Sequence, residues 1–190
     1  MRHAPVVLLI VLTGCVKSDL PTAPMSGGLV QVQGRVVDFV TKAGVANAPV
    51  FFGSYGARTD SFGFYRLNVP SGDYDVTAAQ ENIGTLHAVD PEYRGDVFVR
   101  GGNCTAAYGL IVNKWSRRPV PSANVSFVGG EARSDSTGWY VLDLGCNRDF
   151  GIGTTFMRVT AAGYADATPF GGRREGIRGI RRLDVALAPQ

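Results

Sequence analysis

From Leu29 onward the chain alternates. In LVQVQGRVV, Leu29 to Val37, the residues Val30, Val32 and Val36 fall on one phase with polar or small residues between them, the period-two signature of a half-buried strand. The apolar runs that follow are short and are punctuated by Gly and Pro, which suits many strands joined by turns better than long helices. The expected class is all-β. With 45% apolar residues in 190, the chain has enough material for packed cores, and its 25 Gly and 10 Pro supply the turns.

The alternation is also repeated. RTDSFGFYRL, Arg58 to Leu67, returns seventy-five residues later as RSDSTGWYVL, Arg133 to Leu142, with six of ten positions identical. At the same offset Gly34 matches Gly109, Val37 matches Val112, Val45 matches Val120, Ala48 matches Ala123, Val50 matches Val125 and Phe52 matches Phe127, without a gap. The second copy then gains eight residues before VTAA at 76–79 realigns with VTAA at 159–162, and DVFV at 96–99 and DVAL at 184–187 close the copies. Two tandem domains are expected, 29–100 and 103–189, joined at Gly101-Gly102, each with about seven short strands in a two-sheet sandwich.

The first copy resembles the carboxypeptidase regulatory-like domain family. The residues that carry the resemblance are Gly34, Val36 and Asp38, then Pro49-Val50, then Thr59-Asp60, Gly63, Tyr65 and Leu67, then Pro70, Gly72, Tyr74 and Val76. It implies two tandem seven-strand transthyretin-like, Ig-like β-sandwiches. The second copy departs where Gly145-Cys146-Asn147 and an insertion replace Pro70 to Tyr74.

The repeated Asp–Ser raises the question of a paired catalytic or metal site. Read as turn chemistry, Asp60 accepts backbone amides and Gly63 takes positive φ. Tyr65 and Leu67 then point to one buried face of a hairpin, and Asp135, Gly138, Tyr140 and Leu142 repeat the arrangement. A duplicated Ser-His-Asp set would need more than His3 and His87, a zinc peptidase needs a ligand cluster, and a calcium loop needs several alternating Asp or Asn. No catalytic residue, metal or cofactor is therefore assigned. Lys17, Lys42 and Lys114 sit outside early-strand cores, which argues against the Lys–Asn crosslink of adhesin repeats. Alternation places Phe64 and Trp139 on the outer face, where they would either cover a sheet, pack between domains, or stack on sugars.

The N-terminus, MRHAPVVLLIVLTGC, combines a positive Arg2 with an apolar core from Val6 to Leu12, too short to span a bilayer. Its end, Leu12-Thr13-Gly14-Cys15, resembles the bacterial lipoprotein box, which implies a signal peptide over 1–14 and lipidation of Cys15. A tether over 15–28, rich in Ser, Pro and Gly, links it to the first domain. Val16 is not the Asp that withholds many such proteins from the outer membrane, so the expected location is the outer membrane, periplasmic or surface-facing. In an exported chain Cys104 and Cys146 form an even pair, expected to close a disulfide, the alternative being two buried thiols. A formal charge of +3 is too weak to imply nucleic acid as a partner. The Arg cluster at 171–182 reads as a solvated hairpin or as a contact for anionic headgroups. Together these imply a non-catalytic, membrane-anchored lipoprotein with a structural, adhesive or protein-interaction role at the envelope, or a carbohydrate-binding surface protein that uses its outward aromatics, with an envelope protein or polysaccharide as partner.

Overall fold

The structure is a computed structural model and describes residues 28–88, 94–127, 129–147, 157–169 and 179–190. These residues are all-β and contain fourteen strands. The first seven are β1 (Leu29–Asp38), β2 (Pro49–Phe52), β3 (Tyr55–Arg58), β4 (Phe64–Pro70), β5 (Gly72–Ala78), β6 (Glu81–Ala88) and β7 (Val97–Val99). The second seven are β8 (Cys104–Asn113), β9 (Asn124–Phe127), β10 (Gly130–Arg133), β11 (Trp139–Cys146), β12 (Arg158–Thr160), β13 (Ile180–Arg182) and β14 (Val185–Leu187).

Four sheets result, in the orders β4-β1-β7, β3-β2-β5-β6, β11-β8-β13 and β10-β9-β12, with β14 also on β8. In each half the first strand is central and its final partner runs parallel to it: Val36 pairs with Val97 on β7, and Ile111 with Val185 on β14. Alternation explains the layering. Val32 and Val36 of β1 and Tyr65, Leu67 and Val69 of β4 meet Val50, Phe52, Val76 and Ala78 from the facing sheet in one cluster. Ala107, Ile111, Tyr140 and Leu142 meet Val125, Phe127 and Val159 in the second half.

The duplication reaches the backbone. Lys42 and Arg117, and likewise Asn47 and Ser122, are equivalent positions that share positive φ. Tyr65 stands opposite Gly34 in the ladder and its hydroxyl donates to the carbonyl of Gly95; Tyr140 stands opposite Gly109 and donates to Leu183. A Cβ on Gly34 would lie 2.3 Å from the Gly95 carbonyl carbon and one on Gly109 2.3 Å from the Leu183 oxygen, so both glycines allow the final segment to approach.

One sequence expectation changes. The repeated decapeptide does not close a hairpin: β3 pairs with β2 while β4 pairs with β1, so the Asp60 turn carries the chain from one sheet to the other. Inward side chains on the two strands thereby face each other across the core. The halves also pack on each other beyond the Gly101-Gly102 joint. Tyr108, Leu110 and Trp139 of the second half belong to the core cluster of the first, and Phe39 packs on Cys104 and Ala106.

Cys104 and Cys146 form a disulfide, with Cα atoms 3.7 Å apart. In the first half Leu29 pairs with Pro70, and the same register would put Gly145 opposite Cys104. A bulge between Asp143 and Cys146 shifts the register by one residue and puts Cys146 there instead.

Burial pushes the pKa of Tyr65, Tyr108 and Tyr140 far above the ordinary phenol range. Their raised values favour the neutral, folded form, so this contribution is complete below the unfolded value of about 10 and is lost as pH climbs above it. In an alkaline titration followed by phenolate absorbance, these three of the seven tyrosines should ionise only in step with unfolding. Gradual ionisation of all seven in a chain that keeps its far-UV signal would contradict this burial.

Candidate functional site

The chemistry-bearing side chains converge where the two halves meet. The outward face of β8, Cys104, Ala106, Tyr108 and Leu110, is buried against the first half, as is Trp139 from β11. Of the equivalent outward residues of the first half, Leu29, Gln31, Gln33 and Phe64 are exposed and Arg35 is half-buried. Sequence divergence on this one face therefore decides which copy is covered.

At the centre lies Arg182, whose side chain has 0% exposure. Its guanidinium donates to the carbonyls of Asp96 and Arg94, each at 2.7 Å, and pairs with Asp184 at 3.2 Å. Asp184 in turn accepts the amide of Leu110, as Asp96 accepts that of Arg35 in the equivalent place. Arg94 pairs with Asp96 at 2.6 Å, its guanidinium lies 4.4 Å from the Trp139 ring centroid, and its Nη1 is 3.7 Å from Asp135. The Arg182 guanidinium is 5.4 Å from the same ring. An indole thus lies beside two cations in the joint.

The turn residues take part unequally. The Asp60 carboxylate accepts the amides of Phe62 and Phe64 at 2.8 and 2.9 Å, and that of Asp135 accepts the amides of Thr137 and Trp139 at 2.8 and 3.0 Å. Gly63 and Gly138 have φ of 87° and 76°. Burial pushes the Asp135 carboxyl up, but the Thr137 hydroxyl, the two amides and Arg94 outweigh it and hold it below the usual carboxylate range. Beside each Asp, Thr59 or Ser134 buries a hydroxyl that donates to the carbonyl of Val45 or Val120 and accepts the amide of Ala48 or Ala123.

Of the two aromatics expected to face outward, Phe64 is 54% exposed, with the Arg35 guanidinium 5.3 Å from its ring centroid. Trp139 is 7% exposed. It points away from its own core as alternation requires, but the first half covers it, so it is not available to stack on a ligand. Phe64 borders a groove of about 810 Å³ shared by Arg58, Asp60, Arg66 and Arg94. Within the Arg cluster at 171–182, Arg182 is not solvated, because the joint consumes it; residues 171–178 lie outside the described residues, as do Cys15 and the His87 side chain. No cluster of His, Cys, Asp and Glu suited to a metal occurs among the described residues.

Sequence reasoning missed the Arg-x-Asp pairs 94/96 and 182/184. The signal was present, since RGDVFV and RLDVAL extend the matched closing strands by two residues and place Arg and Asp identically.

No family model matches the chain, and no curated protein does. Among solved structures it is similar to the Bacillus anthracis TIE protein, at 13% identity and a TM-score of 0.31 over 84% of this chain; the match spans 34% of that protein's chain, about a third. It is also similar to the shaft pilin SpaA from Lactobacillus rhamnosus GG, at 9% identity and a TM-score of 0.28, covering 86% of this chain and 98% of the pilin. Scores this low carry no argument about function.

Substitution at these positions should separate turn from joint. A Cβ on Gly63 would lie 2.6 Å from the Val36 carbonyl oxygen and one on Gly138 2.5 Å from that of Ile111, so Gly63→Val and Gly138→Val should each cost about 1 kcal/mol or more in chemical denaturation of the full chain. Asp60→Ala and Asp135→Ala should cost roughly 0.5 to 2 kcal/mol each. Because the Asp135 value is depressed, its contribution is present above the unfolded value of about 4 and lost as pH falls below it; Asp135→Asn should flatten the acid limb of the stability curve. Arg182→Met, which strips a buried cation from Asp184 and two carbonyls, should cost about 3 kcal/mol. Unchanged stability in both Asp→Ala chains would reject the turn role.

Proposed function

We propose that the protein is a non-catalytic lipoprotein, held at the cell envelope through Cys15, whose two transthyretin-like modules of the carboxypeptidase regulatory-like kind form one structural or adhesive unit. The observation that carries this reading is the use made of the buried charges. Arg182, Asp184, Arg94 and Asp96 face one another, Trp139 and backbone carbonyls across the joint, and bind the copies together. Polar groups committed to holding a shape suit a spacer or a presenting surface. The N-terminal pattern ending in Leu12-Thr13-Gly14-Cys15 supplies the attachment, and a double-membrane envelope would place it at the outer membrane.

Metabolic labelling with a fatty-acid analogue should tag the wild type and leave Cys15→Ala untagged; equal labelling of the two would sink the lipoprotein assignment.

A second reading is favoured by one observation, the exposed Phe64 ring beside a groove flanked by Arg58, Asp60 and Arg66. A flat aromatic next to polar hydrogen-bonding groups suits a sugar. On this reading a glycan-array screen gives reproducible binding that Phe64→Ala abolishes while the melting temperature stays put. The structural reading expects no such Phe64-dependent signal.

A further inference from the structure

The two most exposed large apolar side chains among the described residues are Leu29 and Trp115, at 71% and 70%. They lie at the same end of the molecule. Contacts across the joint follow an antiparallel course: Phe39, just past β1, packs on Cys104 and Ala106; Phe98 donates its amide to the Tyr108 hydroxyl; and Arg94 stacks on Trp139, the ladder partner of Leu110. Moving forward along β8 is therefore moving backward along β1, because Arg94 bridges to Gln33, four residues after Leu29. The turn that follows β8 comes out at the end where β1 begins. The lining of one cleft agrees, since it holds Arg117 together with Asp73, three residues after the Pro70 that pairs with Leu29.

The turn itself, Asn113 to Pro119, holds Lys114, Trp115, Arg117 and Arg118 and no carboxylate. The Asn113 side-chain oxygen accepts the amides of Trp115 and Ser116, each at 2.9 Å, which presents the indole outward, and the Lys114 ammonium is 5.0 Å from its ring centroid. The equivalent turn of the first copy has different chemistry. It carries Asp38 in place of Asn113 and Val40 in place of Trp115, and its Lys42 ammonium sits 3.7 Å from the ring centroid of the buried Phe39. An exposed indole beside Lys114, in a turn that also carries Arg117 and Arg118, suits the headgroup level of a bilayer, where an amphipathic ring and snorkelling Lys and Arg are both at home.

Chain length makes this contact reachable. Fourteen residue steps separate Cys15 from Leu29, and a chain of that length reaches at most about 50 Å. If Cys15 is acylated, the start of β1 stays close to the bilayer and Trp115 shares that end. We propose that the 113–119 turn is an interfacial membrane contact, with Trp115 seated among the headgroups of an anionic phospholipid surface and Lys114, Arg117 and Arg118 on its phosphates. The contact holds the molecule down on the membrane that bears its anchor. This rests on the lipoprotein reading.

The test uses full-length acylated protein reconstituted into vesicles of phosphatidylcholine with a minority of phosphatidylglycerol, both brominated on upper acyl carbons. The chain has two tryptophans, Trp115 and the buried Trp139, so Trp115→Phe is the control. Wild-type emission should shift to the blue and fall about twofold relative to unbrominated vesicles, whereas Trp115→Phe should be indifferent to bromine. Charge reversal in Lys114→Glu/Arg118→Glu should remove most of the quenching without lowering the melting temperature. A labelled, vesicle-bound wild type whose emission ignores bromine overturns the proposal and leaves the lipoprotein reading intact. If Cys15 takes no label, the lipoprotein reading fails separately, and co-sedimentation of the unacylated chain with the same vesicles decides the contact. Binding lost on Trp115→Ala supports it, and no binding overturns it.

Discussion

A guanidinium withdrawn completely from water is costly unless its donors are met, and the joint between the copies is arranged around that requirement. Arg182 finds two main-chain carbonyls on the first half and the carboxylate of Asp184, two residues further along its own half. Those carbonyls belong to Arg94 and Asp96, which flank the Gly95 carbonyl that Tyr65 binds from inside the first core. One short segment therefore faces the core of one copy and the clamp of the other. Keeping Arg182 satisfied requires the arrangement of the two halves that also buries Trp139 and covers the outward face of β8.

The two halves share backbone features and differ in what they present outward. The pairing of the first, second, third and fourth strands, the turn dihedrals and the Tyr-to-carbonyl bonds agree between the halves, while β6 has no counterpart among the described residues of the second. The halves differ too on the outward side of one sheet. Gln31, Gln33 and Phe64 are exposed in the first copy, whereas Ala106, Tyr108 and Trp139 at the matching places are buried. The staple differs as well: Leu29 and Ser71 stand where Cys104 and Cys146 do, and only the copy whose first strand is covered from outside carries the disulfide, which closes a separation of 42 residues. In the chain-entropy picture such a link is worth roughly 4 kcal/mol.

Asp60 and Asp135 show how a duplicated feature can acquire an unequal role. Both hold a turn through the same pair of amides. Asp135 also meets Arg94, which comes from the other half, so a residue with local work to do becomes part of the joint. The Asp kept twice is explained by the turn amides it accepts, and the residue before it, Thr59 or Ser134, keeps a buried hydroxyl, whereas the repeated Ser61 and Ser136 that follow it are exposed.

Alternation, the seventy-five-residue offset and the turn residues by themselves determined the all-β class, the strand positions, the inward sets led by Val32, Tyr65 and Tyr140, and the amide-binding role available to Asp60 and Asp135. These properties are local: period two assigns a side chain to a face, and an Asx turn closes within four residues. Which sheet each strand joined was not local, and the decapeptide that reads as a hairpin crosses between sheets because β3 and β4 find partners elsewhere. Nor does period two say whether an outward face meets water or protein. Phe64 and Trp139 have the same phase, and only the packing of one copy on the other exposes the first and buries the second. Arg182, read in sequence as one of a solvated cluster, is buried because carbonyls eighty-six and eighty-eight residues away converge on it, a long-range arrangement that only the tertiary structure brings about.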